Sequence, residues 1–112
     1  MIMKQIPKKL LIHSCTITTP STTDSWGNVT LSKSTSLTQI RIDPSSSIKK
    51  DKQNNDIQLN SMLFYDCKNS FPSSFTFEYD QKVVFNNKEY TVSSIDYLYD
   101  RTKLHHLEVG LI

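Results

Sequence analysis

Glycine is nearly absent from this chain: only Gly27 and Gly110 occur in its 112 residues. That excludes a phosphate-cradling glycine loop and a dinucleotide fingerprint, which need several glycines where backbone meets phosphate. Cysteine is as scarce. Cys15 and Cys67 are far apart, form no CxxC and have no paired-histidine spacing beside them. A disulfide or metal site is therefore not expected, and each reads as a small buried or half-buried apolar side chain. No hydrophobic run approaches the ~20 residues of a membrane span, and the start Met1 to Pro7 lacks the apolar stretch of a signal peptide. The expectation is a protein made in a cytoplasm, with no membrane partner. An excess of one charge is missing too. Thirteen Lys and Arg against eleven Asp and Glu leave a net charge of +2, too little for bulk attraction to nucleic acid or an acidic membrane.

Catalytic patterns are missing as well. No serine stands in a nucleophile elbow. The carboxylates offer no pair with catalytic spacing, since most fall in turns where Asp serves the backbone. His105 and His106 are adjacent on a predicted strand, so they are expected to point to opposite faces and cannot share one metal in regular geometry. Neither an enzyme nor a cofactor is expected.

What is present is strand material. Thr, Ser, Val, Ile, Phe and Tyr are plentiful, and 37% hydrophobic against 21% charged residues is a globular balance. At this length the whole of 1–112 is expected to be one domain with a core of its own. The clearest stretch is at the end. Gln81 to Phe85, the pair Asn86-Asn87 and Glu89 to Val92 read as a hairpin, because Asn tolerates the positive φ that a type I′ turn requires. Val83, Phe85, Tyr90 and Val92 then make one apolar face. Leu107, Val109 and Leu111 repeat the period in a final strand, and residues 93–99 extend the preceding one through a bulge.

Earlier segments read less sharply. A long first strand runs from Leu10 to Thr19 and is stopped by Pro20. Ser21 to Asn28 is a connection with Trp26 at its tip, either a partner anchor or a cap on the core. Lys4, Lys8 and Lys9 form a basic cluster around Ile6-Pro7. Val29 to Lys33 and Leu37 to Ile42 are two strands or one bent one. Residues 43–56 carry a single apolar side chain after Pro44, too few to repay ordering, and read as a flexible polar loop within the domain. Ile57 to Tyr65 begins by alternating and ends apolar, the pattern of a central strand; Ser73 to Tyr79 reads as a short one. The sum is an all-β fold, a small single-domain β-barrel or rolled antiparallel sheet with one long polar loop.

Six blocks together carry a resemblance: Ile6-Pro7-Lys8-Lys9-Leu10-Leu11-Ile12-His13, Trp26-Gly27-Asn28, Arg41-Ile42-Asp43-Pro44-Ser45-Ser46, Leu63 to Ser70, Tyr90-Thr91-Val92, and Leu104 to Val109. In pattern and order, over nearly the whole chain, they resemble the minor capsid proteins of tailed bacteriophages. Leu63-Phe64-Tyr65-Asp66-Cys67 is the most specific block. The group favours Gly where Asn87 stands, a change that the turn chemistry accommodates. In size and layout the chain is similar to head-closure, or stopper, proteins of the head–tail connector.

The resemblance implies a structural virion subunit at the head–tail joint, assembled in the bacterial host cytoplasm. Its implied partners are copies of itself in a ring, the portal or adaptor above, tail proteins below and packaged double-stranded DNA in the channel. Ser45, Ser46, Ser47, Ile48, Lys49, Lys50, Asp51, Lys52, Gln53 and Asn54 become a candidate channel and assembly loop. Trp26, Lys8 and Lys9 become candidate partner contacts. Two other readings stay open. One is a tail-completion or terminator subunit. The other is a stand-alone barrel that binds single-stranded nucleic acid through Phe71, Tyr79, Tyr97 and Tyr99 with Lys82, Lys88 and Arg101, several of those rings being expected in the core instead.

Overall fold

Alanine, the strongest helix former, does not occur in the chain, whereas β-branched and aromatic residues recur throughout. The computed structural model describes residues 7–30 and 32–112. Lys4, Ile6 and the side chain of Lys8 lie outside the described residues. A 3-10 turn, Lys8–Leu10, is followed in order by β1 (His13–Thr19), β2 (Thr22–Thr23), β3 (Val29–Thr30), β4 (Lys33–Pro44), β5 (Ile48–Lys50), β6 (Asp56–Gln58), β7 (Ser61–Asp66), β8 (Lys82–Phe85), β9 (Lys88–Asp100) and β10 (Lys103–Leu111). The expected all-β class is what forms. Six strands close an antiparallel barrel in the order β1-β4-β7-β10-β9-β8, with β8 returning to β1 through Thr16–Val84, Ile17–Val83 and Thr18–Lys82.

Where strands alternate, the sequence pattern and the barrel agree. Asn86 and Asn87 take φ of 51° and 63°, the two left-handed positions of the expected turn between β8 and β9. Val83, Val92, Val109 and Leu111 are fully buried, as are Ile17, Leu37, Ile40 and Leu63 from the other walls. Each such side chain removed from water is worth about 1.5–3 kcal/mol. The thirteen residues of β9 include the expected continuation, with Ser93 as the extra residue against β10, between the pairs Ser94–Gly110 and Val92–Leu111.

Bulges account for where alternation misleads. Leu37 and Ile40 would face opposite sides of a regular strand, yet both are buried. Between the pairs Cys15–Leu37 and His13–Ile40, β4 carries one more residue than β1, and Gln39 sits there at φ 55°. That bulge makes residues 33–44 one bent strand. The first strand is shorter than expected, because Lys8–Leu10 turns before His13. Ser73 to Tyr79 forms no strand. Among the described residues it makes no ladder with a wall strand; just before it, Thr38 and Phe71 exchange a pair of backbone hydrogen bonds, at 2.9 and 3.0 Å. Phe77 instead packs edge-to-face against Phe75 on one side and Tyr65 on the other, 4.9 and 5.5 Å between centroids, and the rings plug that end of the barrel.

The most specific block has a structural role at this plug. Leu63 and Tyr65 point inward, and the Tyr65 hydroxyl donates to the Pro72 carbonyl. Asp66, fully buried, accepts from Asn69 Nδ2 at 2.9 Å and from the Lys68 N–H at 3.3 Å, so its carboxylate fixes the turn out of β7.

Candidate interaction surfaces

Two hairpins project outside the barrel, one from each end. Antiparallel alternation places the roots of β2–β3, the Asp66–Ser70 turn and the β9–β10 turn at one end. At the other lie the 3-10 turn, the roots of β5–β6 and the Asn86–Asn87 turn. The β2–β3 arm is small: Thr22 pairs with Thr30 and Thr23 with Val29. Its tip is fixed by Asp24, whose Oδ1 accepts from the N–H groups of Trp26 and Asn28, both at 2.9 Å, while Gly27 at φ 81° makes the reversal. The Asn28 and Trp26 donors hold the Asp24 carboxyl below its ordinary range, so the tip carries a negative charge. Trp26 stands on this turn 87% exposed, with Val29 also outside. It does not cap the core of its own molecule. Lys9 is exposed in the 3-10 turn at the opposite end of the barrel, so the candidate contacts Trp26 and Lys9 do not form one patch.

The segment 43–56 is a hairpin arm rather than a plain loop. Ile48 pairs with Gln58, Lys49 with Ile57 and Lys50 with Asp56. Side chains compensate for the missing apolar residues at its turn. Asp51 Oδ1 accepts from the N–H groups of Gln53 and Asn55 at 2.9 Å, and Asn54 takes φ 64°. Ile57 thereby belongs to the arm, and the central strand begins only at Ser61. The arm lies against the outer wall. Leu59, 3% exposed, sits over Gly110, where an added Cβ would come within 2.8 Å of its Cδ2 and 2.1 Å of Ser94 Oγ. An isolated glycine in an otherwise alternating strand is the signal that marks such a close approach. Each lysine of the central basic cluster faces a carboxylate: Lys49 meets Asp96 at 3.1 Å, Lys50 meets Asp56 at 2.6 Å and Lys52 meets Asp80. These exposed pairs are worth little individually, but they leave the arm without a net basic face.

A third feature lies at the plugged mouth. Tyr65, Cys67, Phe75, Phe77, Tyr97 and Leu104 line a cavity of about 370 Å³ there. Burial pushes the Cys67 thiol up, with nearby Asp66 adding to it, so the thiol stays neutral. Tyr97 and Tyr99 rise from the same face of β9 at its rim, 51% and 56% exposed, and Phe71 and Tyr79 are exposed too. All four rings of the aromatic set are thus outside the core, contrary to expectation, because the plug segment supplies Phe75 and Phe77 in their place.

The histidine pair also departs from expectation. His105 is the extra residue between the pairs Leu104–Tyr99 and His106–Leu98, and the bulge turns the two rings toward each other. Their Nδ1 atoms are 2.7 Å apart, one donating to the other, and His106 Nε2 lies 3.1 Å from Glu108 Oε2. Among the described residues no group of three or more His, Cys, Asp or Glu is placed to hold a metal ion. No helix among them is long and apolar enough to cross a membrane.

The chain was also compared with known proteins. A family model described as minor capsid protein matches residues 7–111. No curated protein matches it, and no solved structure does.

Proposed function

The chain belongs to the minor capsid protein family and is a structural component of the bacteriophage virion; from that premise we propose that it is a head-closure subunit of the head–tail connector. Copies assemble as a ring beneath the portal or adaptor, help retain the packaged double-stranded DNA and offer a surface to the tail. The observation that carries this reading is a closed barrel with a hairpin arm at each end. A closed wall has no strand edge to offer, so partners must be met through arms and rims. Arms rooted at opposite ends suit a subunit that touches neighbours on two levels. Residues 45–54 keep their candidate role as the inner arm of the ring, with Lys49 and Lys52 exchanging their carboxylates for phosphate where DNA passes.

Two measurements test this. Cryo-electron microscopy of virions is expected to place a ring of this subunit at the head–tail joint, and the protein is expected to copurify with portal or adaptor. Copurification with the tail tube alone would favour the tail-completion reading. The exposed Tyr97 and Tyr99 favour one further reading, single-stranded nucleic-acid binding by the isolated barrel. Titrating labelled oligonucleotide at moderate salt decides it: micromolar binding would support that reading, and none is expected.

A further inference from the structure

We infer that Trp26 on the β2–β3 arm is the knob, and the aromatic cavity at the barrel mouth the socket, through which one copy of this chain docks on the next. The inference rests on the ring reading above and specifies how its subunits join. Trp26 is the only tryptophan in the chain and the most exposed large apolar residue among those described, held out on a turn that Asp24 ties. An 87% exposed indole on a fixed turn keeps a large apolar surface in water at little entropic cost to a partner.

The cavity fits an apolar ring better than a polar metabolite. Its wall is Phe75, Phe77, Tyr97, Leu104 and Leu107. Of its polar groups the Tyr65 hydroxyl is bound to Pro72 and the Cys67 thiol is held protonated, while Ser74, Thr76 and Tyr97 bring hydroxyls alone. No charged side chain is among the lining residues, so an ionic metabolite would find no counter-charge there. Charge agrees. Asp24 is the only charged residue between Thr19 and Lys33, and it is ionised. Next to the socket in the chain stand Lys68, Arg101 and Lys103, all exposed, with the carboxylates of Asp66, Glu78 and Asp100. The Asp66 carboxylate is buried and turned into its own loop by Lys68 N–H and Asn69, so the three exposed cations are what an anionic knob can meet.

Placement completes the case. The arm joins β1 to β4, and the socket opens at the mouth among the end of β7, residues 73–79 and the pair β9–β10, that pair lying diametrically across the six-strand order from the root of the arm. Knob and socket also share one end of the barrel. A surface that fits a different surface elsewhere on the molecule makes a heterologous contact, and repetition of that contact closes a ring when the rotation between copies divides a full turn. A buried Trp covers roughly 150–250 Å², well short of the roughly 800 Å² per partner of a stable interface. Isolated copies should therefore associate weakly and gain from closure.

The sole tryptophan makes the test direct. In wild-type protein brought to high concentration, sedimentation is expected to show oligomers, with Trp26 emission shifting blue and acrylamide quenching falling in step. Thr76→Arg, which puts a charge at the exposed lip of the socket, should abolish both changes while the far-ultraviolet circular dichroism and thermal midpoint hold. Trp26→Ala should abolish the oligomers. Oligomers whose Trp26 stays fully quenchable would overturn the knob and leave the ring reading standing. So would Trp26 protection that survives Thr76→Arg, or that arises only when portal protein is added. Protein that remains monomeric at millimolar concentration would overturn the socket, while virion microscopy decides the ring independently.

Discussion

Cys15 and Cys67 are the same residue in the sequence and different chemical groups in the fold. Cys15 is 8% exposed between barrel walls, and burial pushes its thiol from 9.0 up to about 12. Cys67 is half-buried at the cavity, and its thiol is raised by burial and then by Asp66. Alkylation at pH 8 should modify Cys67 first and Cys15 only on unfolding; equal rates by mass spectrometry would contradict the packing around Cys15. The pH dependence follows in sign. The folded state favours the neutral Cys15 thiol, so its contribution is complete below about pH 9 and is lost as pH rises toward about 12. Urea midpoints measured across that window should fall. Both cysteines as unpaired, buried or half-buried side chains were legible from their spacing and residue type. The facing of His105 and His106 was not, nor was the shared face of Leu37 and Ile40. An extra residue in one strand is set by the partner strand, which a single sequence window does not contain.

Among elements, the β8–β9 hairpin was the most legible because its information is local: two asparagines set the turn, and the turn sets the register. The β5–β6 arm was not. Its order comes from Asp51 bonding its own turn and from Leu59 lying on Gly110, a contact across about fifty positions of chain. The Ser73 to Tyr79 segment misleads because its alternating rings, Phe75 and Phe77, pack over the barrel mouth rather than along a partner strand. The arm's seat makes a double-mutant prediction. Gly110→Ala should cost about 1–3 kcal/mol by overpacking, and Leu59→Ala about 2–5 kcal/mol. Together they should cost less than their sum, because the new methyl group then has room on its Leu59 side. Strict additivity in urea unfolding would mean that Leu59 does not rest on Gly110.

Across the whole molecule, the barrel is unevenly stitched. β9 and β10 pair along almost their full lengths, whereas β1 meets β8 only through Thr16, Ile17 and Thr18. Local opening should begin at that short seam. Amide exchange is expected to be faster in Val83 and Val84 than in Leu107 and Val109, although Val83 and Val109 are equally buried; the reverse order would show that burial rather than pairing sets the protection. The architecture itself was legible as rolled antiparallel sheet from turn spacing and period. Its strand order was not, because β4 to β7 and β7 to β10 are joins between distant segments. Closure has one more consequence. Every wall strand already has a neighbour on each side, so two copies that meet wall to wall do so through their side chains. A misplaced copy can then let go and try again, whereas a strand annexed to an open sheet would be trapped.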